Sequence, residues 1–103
     1  MAAPSQRQLE RHIRQHAAKT ENVGFIRHAK SRMRERHVSL GMVYEVLQKG
    51  TIDKTPEPDE RYADWTRCRM RRLVAGMDLI VVVAVSVPRP DLLVVTVIDI
   101  QGS

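Results

Sequence analysis

Apolar residues in the first half of the chain recur every three or four positions, which is the spacing of one face of an α-helix. Ser5 and Gln8 form a capping-box pattern that would start a first helix. Ser39 is placed to cap a third helix at its N-terminus, and Gly50 at its C-terminus. The predicted helices cover residues 6–19, 25–38 and 40–49. The expected apolar faces are Leu9, Ile13 and Ala17 in the first helix, and Leu40, Val43 and Leu47 in the third.

The predicted helix over residues 25–38 carries stripes of different chemistry. Its apolar stripe consists of Ile26, Ala29 and Met33. A polar stripe beside it consists of His28, Arg32 and Arg36. Further positive charge comes from Arg27, Lys30 and Arg34. We expect the apolar stripe to hold this helix on the core, and the basic side to face solvent, where it can meet an anion.

The second half of the chain alternates and is rich in β-branched residues, which is typical of β-strands. The predicted strands cover residues 51–55, 65–74, 79–87 and 92–100, with a loop at 56–62 and turns at 76–78 and 88–91. In the second of these strands, Arg67, Arg69 and Arg71 should point one way and Cys68 and Met70 the other. Short connections favour an antiparallel meander. The predicted class is α+β: a single domain over 1–103 in which N-terminal helices pack on a small antiparallel sheet.

The last two predicted strands are apolar on both faces. Leu79 and Val81 point to one face, whereas Ile80 and Val82 point to the other. A sheet with one wet face would instead alternate apolar and polar residues. The second and third helices can cover one face. The other then requires the first helix or a second subunit, so a homodimer through this face is one expected arrangement.

The positive charge is concentrated in one half of the chain. Of the 103 residues, 17 are Lys or Arg and 12 are acidic, for a net charge of +5. Residues 1–50 carry a net +6 and residues 51–103 a net −1. A basic half on a balanced domain is typical of nucleic-acid binding, and it is also typical of a solvated surface.

Several classes of protein are disfavoured by what the sequence lacks. The single cysteine, Cys68, excludes an internal disulfide and fits a reducing compartment. The N-terminal residues contain no apolar core of signal-peptide length, and the later apolar runs are too short and β-branched for membrane helices, so a cytoplasmic location without membrane contact is expected. No phosphate-binding loop or zinc spacing is present, so no metal or cofactor is expected. His12 and His16 could share a metal, but without a third ligand two solvated histidines are the simpler interpretation.

A longer pattern carries a family resemblance. It consists of His28-Ala29-x-x-Arg32-Met33-x-x-Arg36, Val38-Ser39, Val43, Val46-Leu47, Gly50-x-Ile52 and Val94-Val95-Thr96-Val97-Ile98. Over residues 25–100 this pattern resembles the small bacterial and phage proteins of domain-of-unknown-function family 4258. The resemblance implies a RelE/ParE/BrnT-like toxin fold, with two helices on a small antiparallel sheet and the first helix as an addition. Family members often have glycine at the position of His37.

The resemblance also implies a candidate activity, because some members of the wider toxin group are metal-independent ribonucleases. RNA cleavage by the 2′-hydroxyl requires a proton acceptor or donor and cations on the phosphate. The candidate catalytic residues are His28, Arg32 and Glu35. The candidate nucleic-acid-binding residues are Arg27, Lys30, Arg34, Arg36, Arg67, Arg69 and Arg71.

Each of these candidates also has a structural interpretation. His28 could fix helix packing, and Arg32 and Arg36 could pair with the acidic loop over residues 57–60. The arginines of the predicted strand could be its wet edge. Trp65 could stack on a base, although a core or rim position is simpler. Cys68 is expected to be buried and inert.

A second function stays open beside the ribonuclease. In it the chain is a non-catalytic phage or bacterial regulator. Its basic helices would bind RNA, DNA, an antitoxin or an acidic host protein. Substitution of His28 by Ala would abolish cleavage in the first case and leave binding intact in the second.

Overall fold

Three helices and a six-stranded mixed sheet form an α+β fold in the computed structural model, which describes residues 4–101. Residues 1–3 and 102–103 of the predicted domain lie outside that range. The helices are α1 (Gln6–Ala17), α2 (Arg27–Arg36) and α3 (Leu40–Lys49). The strands are β1 (Val23–Phe25), β2 (Thr51–Ile52), β3 (Glu57–Pro58), β4 (Thr66–Val74), β5 (Met77–Val85) and β6 (Leu92–Asp99). The predicted fold class is confirmed.

Local capping chemistry sets the starts of α1 and α3. The Ser5 hydroxyl accepts the Gln8 amide at 3.1 Å, and the Gln8 side chain accepts the Ser5 amide at 2.7 Å, so the predicted capping box is confirmed. Ser39 caps α3 by accepting the Met42 amide at 3.2 Å. Gly50 follows α3 as predicted, but its φ of −77° is ordinary for any residue. Glycine fits there because its neighbours are close: a Cβ would lie 2.4 Å from the Val46 carbonyl oxygen.

The start of α2 differs from the prediction. Residues Val23–Phe25 pair in parallel with β6 from Leu92 to Val94, and the Ile26 amide donates to the Val94 carbonyl at 3.2 Å. This pairing holds Phe25 in the sheet, so the helix begins at Arg27, two residues later than predicted. The predicted first helix is also shorter, because it ends at Ala17.

The sheet order is β1-β6-β5-β4-β2, with β3 beside β4. The antiparallel meander β4-β5-β6 is confirmed, whereas the wholly antiparallel sheet is wrong because β1 is parallel to β6. The β4–β5 turn also lies earlier than predicted. Val74 pairs with Met77, so the turn residues are Ala75 and Gly76, both with positive φ (51° and 79°), as a type I′ turn requires.

Strands β2 and β5 end earlier than predicted, and one short strand was not predicted. The strand predicted over residues 51–55 is reduced to Thr51–Ile52, and β5 ends at Val85 instead of residue 87. Two residues of the predicted 56–62 loop, Glu57 and Pro58, pair with β4.

One face of the sheet is covered by all three helices. Buried residues from every helix share one core cluster with the inward residues of β5, such as Leu79 and Val81. Cys68 and Met70 lie on this face with no exposed surface, as predicted. Leu40 was expected in the core, but 51% of it is exposed because it lies at the outer start of α3.

The other sheet face is buried within the single chain. Ile80, Val82, Ala84 and Val95 are at most 9% exposed and form a second cluster with Trp65 and Ile98, among others. The prediction that α1 could cover this face is wrong, because α1 packs with the other helices on the first face. Directly opposite residues on antiparallel strands share a face, and the long arginines of β4 lie opposite Ile80, Val82 and Ala84. A second subunit is therefore not required to cover this face.

Candidate functional site

Helix α2 is held on the core by two buried side chains, and much of its remaining surface is exposed. Ala29 is fully buried and Met33 is 8% exposed, and both join the first core cluster. The helix ends at His37, which has a left-handed conformation (φ 57°, ψ 41°), and the Val38 amide then donates to the Met33 carbonyl at 2.9 Å. Glycine is the usual residue for this conformation. In this chain His37 occupies that position instead.

The three candidate catalytic residues lie together on the exposed side of α2. Arg32 Nε points toward His28 Nε2 at 3.5 Å, the limit of a hydrogen bond, and Arg32 Nη1 donates to Glu35 Oε2 at 2.9 Å. The Arg32 side chain is 40% exposed and that of Glu35 is 57% exposed. The carboxylate partner of Arg32 is thus on its own helix, so the predicted alternative of an Arg32 pair with the 57–60 loop is wrong. The cluster offers an accessible imidazole next to a partly neutralised guanidinium.

The other cations of α2 differ in their surroundings. Arg27, Lys30 and Arg34 are exposed, and none of them forms an ion pair within residues 4–101. Arg36, at the end of the helix, is partly buried. The first three form the open positive surface of this helix.

Two arginines of β4 are bound to carboxylates. Arg71 donates to both oxygens of Asp78, at 3.0 and 2.7 Å, and lies 3.8 Å from Asp53. The hydrogen bonds from Arg71 hold the pKa of Asp78 below its usual value. Arg69 Nε lies 3.3 Å from Asp53 Oδ1, although not in the direction of a hydrogen bond.

Arg67 is likewise paired, with acids of the adjacent loop. Its Nη2 lies 3.4 Å from Glu57 and 3.7 Å from Glu60. The acidic loop predicted to pin α2 therefore lies against β4 instead. Arg67, Arg69 and Arg71 lie on one face of β4, as predicted, whereas Arg72 lies on the other face and pairs with Glu45 of α3. The three are much less available to an external anion than the exposed cations of α2.

The surroundings of Trp65 and Cys68 agree with the structural interpretation of both residues. Trp65 is partly buried at the rim of the second cluster, with its ring 5.7 Å from that of Tyr62 and the Arg89 guanidinium 5.9 Å above it. This agrees with the rim interpretation. Cys68 is fully buried, and burial raises the pKa of its thiol to about 12, so it is inert.

The histidine pair of α1 is not solvated as expected. His12 is only 8% exposed, its ring is 4.4 Å from that of His16, and burial, with a smaller effect of His16, lowers the pKa of His12. Leu9, His12 and Ile13 follow the i, i+3, i+4 spacing of one helix face, so the helical spacing could have shown the burial of His12. Within residues 4–101 no group of three or more His, Cys, Asp or Glu side chains is placed to hold a metal.

An apolar groove between α2 and α3 was not anticipated. Its volume is about 590 Å³. Its apolar walls are formed by Phe25, Met33, Val38 and Leu40. The assignment of Leu40 to the core hid this feature, because Leu40 is instead 51% exposed and lines the groove.

Comparison with known proteins identifies a family for most of the chain. Residues 25–99 match the family described as Domain of unknown function (DUF4258). The chain belongs to this family. The family region begins at the last residue of β1 and ends with β6, so α1 precedes it. No curated protein and no solved structure matches the chain, so the likeness to the RelE/ParE/BrnT toxin fold stays a prediction.

Proposed function

We propose that the protein binds nucleic acid in the cytoplasm, through the exposed basic surface of α2. The observation that supports this proposal is the contrast between two sets of cations. Arg27, Lys30 and Arg34 have no ion pair within the described chain, whereas the β4 arginines face carboxylates. No helix of residues 4–101 is long and apolar enough to cross a membrane.

The spacing of these cations suits a phosphate backbone. Arg27, Lys30 and Arg34 are three and four residues apart, so they lie on one side of a helix along about 10 Å of its axis. Each contact with a phosphate releases condensed counterions, and this release supplies most of the non-specific affinity. Binding should therefore weaken steeply as salt rises.

The experiment compares single arginine substitutions in a titration of a fluorescent single-stranded RNA at several salt concentrations. Arg34→Gln should lower the slope of log K against log salt by about 0.7. Arg67→Gln removes the same charge from a paired position, and it should leave the slope nearly unchanged. A flat salt dependence of the wild type, or equal losses in the two variants, would contradict the proposal.

A second candidate function is RNA cleavage, which the proximity of His28, Arg32 and Glu35 favours. The neutral imidazole of His28 would accept the 2′-hydroxyl proton as the 2′ oxygen bonds to phosphorus. The bond from phosphorus to the 5′ oxygen would break, and that oxygen would take a proton from water or from the imidazolium. Arg32, oriented by Glu35, would hold the phosphate.

His28→Ala separates this candidate from binding alone. If the protein is a ribonuclease, the substitution should abolish the 2′,3′-cyclic product while RNA affinity stays within about twofold. If the wild-type protein forms no such product, the non-catalytic regulator is the better account. A toxin role and an antitoxin or host-protein partner belong to the same proposal, whereas a homodimer is not needed to bury the second sheet face.

A further inference from the structure

The groove between α2 and α3 combines an apolar floor with a basic rim. Leu40 is 51% exposed at one end, and Met33 and Val38 are buried at the base. Large exposed apolar residues with polar neighbours often mark interaction sites. A volume of about 590 Å³ is within the range of cavities that hold ligands or side-chain anchors.

The rim carries the positive charges of Lys30 and Arg34. Lys30, Arg34 and His37 line the groove, and they follow one another at helical intervals of four and three residues. All three are exposed, and none forms an ion pair within the described residues. The occupant must therefore present carboxylates or phosphates beside an apolar group.

The polar groups of the groove favour carboxylates on an apolar helix over a nucleotide base. A base is recognised through hydrogen bonds at its edge. The Ser39 hydroxyl already accepts the Met42 amide at 3.2 Å, and the Ser39 amide points to the Met42 sulfur at 3.4 Å. The cap of α3 thus engages the Ser39 amide and hydroxyl oxygen, which leaves of these groups only the hydroxyl O–H as a donor, and the floor offers apolar contact.

A second copy of the chain is a poor occupant on charge grounds. The surfaces of α1 and α2 are themselves basic, with Arg7, Arg11 and Arg14 on α1 against the single acid Glu10. The acidic segment over residues 57–60 is engaged with Arg67 of its own chain. A second protomer would bring like charges to the rim.

We propose that this groove docks an acidic amphipathic helix of a protein partner. Apolar side chains on one face of that helix would fill the space between Met33 and Leu40. Its carboxylates, a turn apart, would face Lys30, Arg34 and His37. This is the helix-in-groove type of recognition, with the rim setting orientation and the floor supplying affinity. The inference does not depend on nucleic-acid binding.

The probe is a synthetic fluorescent peptide of Glu, Ala and Leu that has leucines at i, i+3, i+4 and i+7, on one face of a helix. It is made in three versions, called registers, in which the leucine pattern is shifted along the peptide relative to the glutamates. Anisotropy is measured with the full-length protein. At least one register should bind saturably. A peptide of the same composition with leucines spread around the helix, and a Lys-for-Glu version, should each bind at least about tenfold more weakly.

Two leucine substitutions locate the site. Leu40→Glu should weaken peptide binding about tenfold or more, and Arg34→Glu should do the same. Leu73→Glu is the matched control, because Leu73 is 65% exposed at the distant end of β4, and it should change affinity less than about twofold. Melting curves of the two leucine variants should match the wild type.

Four results would each overturn the inference. These are no saturable binding in any register, equal binding of the scrambled peptide, equal effects of Leu40→Glu and Leu73→Glu, and self-association of the wild type that Leu40→Glu abolishes. A tenfold loss of RNA affinity in Leu40→Glu would reassign the groove to a base and would likewise overturn it.

Discussion

Substitution of Gly50 by Ala should destabilise the protein, because the site has no room for a side chain. A Cβ at this position would lie 2.4 Å from the Val46 carbonyl oxygen and 2.8 Å from that of Arg71, and both are backbone atoms. Relief of this contact must move the end of α3 away from β4. The same movement disturbs the Gly50 carbonyl, which accepts two hydrogen bonds from Arg14 at 3.0 and 2.7 Å.

The expected magnitude follows from these two contributions. Overpacking costs about 1–3 kcal/mol, and a weakened hydrogen bond to a charged group adds about 1 kcal/mol. We therefore expect Gly50→Ala to lower the free energy of unfolding by about 2–4 kcal/mol. For a domain of this size, that corresponds to a Tm lower by roughly 10 °C or more.

Gly41→Ala is the matched control for urea and thermal unfolding. A Cβ at Gly41 would meet only Ser39 Oγ, at 3.9 Å, and Gly41 is in the first turn of α3. Because alanine favours the helix, this substitution should leave stability unchanged or raise it by up to about 1 kcal/mol. If Gly50→Ala unfolds within about 0.5 kcal/mol of the wild type, the close approach of α3 and β4 is wrong.

Substitutions at three further positions test other parts of the account. His37→Gly should be more stable than His37→Ala by about 1 kcal/mol in urea unfolding, since both lose the imidazole and only glycine tolerates the positive φ of 57° without strain; equal stability would contradict the left-handed end of α2. Arg32→Ala should change stability by less than about 0.5 kcal/mol, since its pair with Glu35 is an exposed contact within one helix; a larger loss in melting curves would indicate another partner. Burial lowers the pKa of His12 in the folded state, so protonation of this imidazole destabilises the fold. The contribution of His12 to the free energy of unfolding should therefore be complete above its unfolded pKa of 6.5 and should decrease as pH drops below that value. His12→Leu should lose this part of the pH dependence in unfolding titrations at pH 5–7.

Features set by local chemistry could be predicted from the sequence. The caps at Ser5 and Ser39 depend on residues three positions away, so their signals are visible in a short stretch of chain. The burial of Cys68 and Met70 follows from strict alternation in β4. The clustering of His28 with Arg32 follows from helical spacing alone.

Features set by distant partners could not be predicted. Phe25 fits a helix pattern, but the parallel pairing of β1 with β6, far along the chain, holds it in a strand. The carboxylates at Asp53 and Asp78 that face the β4 arginines lie on other strands or loops, and no local pattern indicates which acid meets which base. Leu40 fits the apolar spacing of α3, but no element of residues 4–101 buries it, and 51% of it is exposed.

The most direct test of the proposed function is an NMR titration of the ¹⁵N-labelled full chain with a single-stranded RNA at low salt. The account predicts saturable amide shifts centred on residues 27–37, with residues 67–71 of β4 little affected. The reason is that Arg27, Lys30 and Arg34 of α2 have no carboxylate partner within residues 4–101, whereas the three outward arginines of β4 do. Added salt should reverse the shifts. Shifts centred on β4, or no saturable shifts at all, would contradict it.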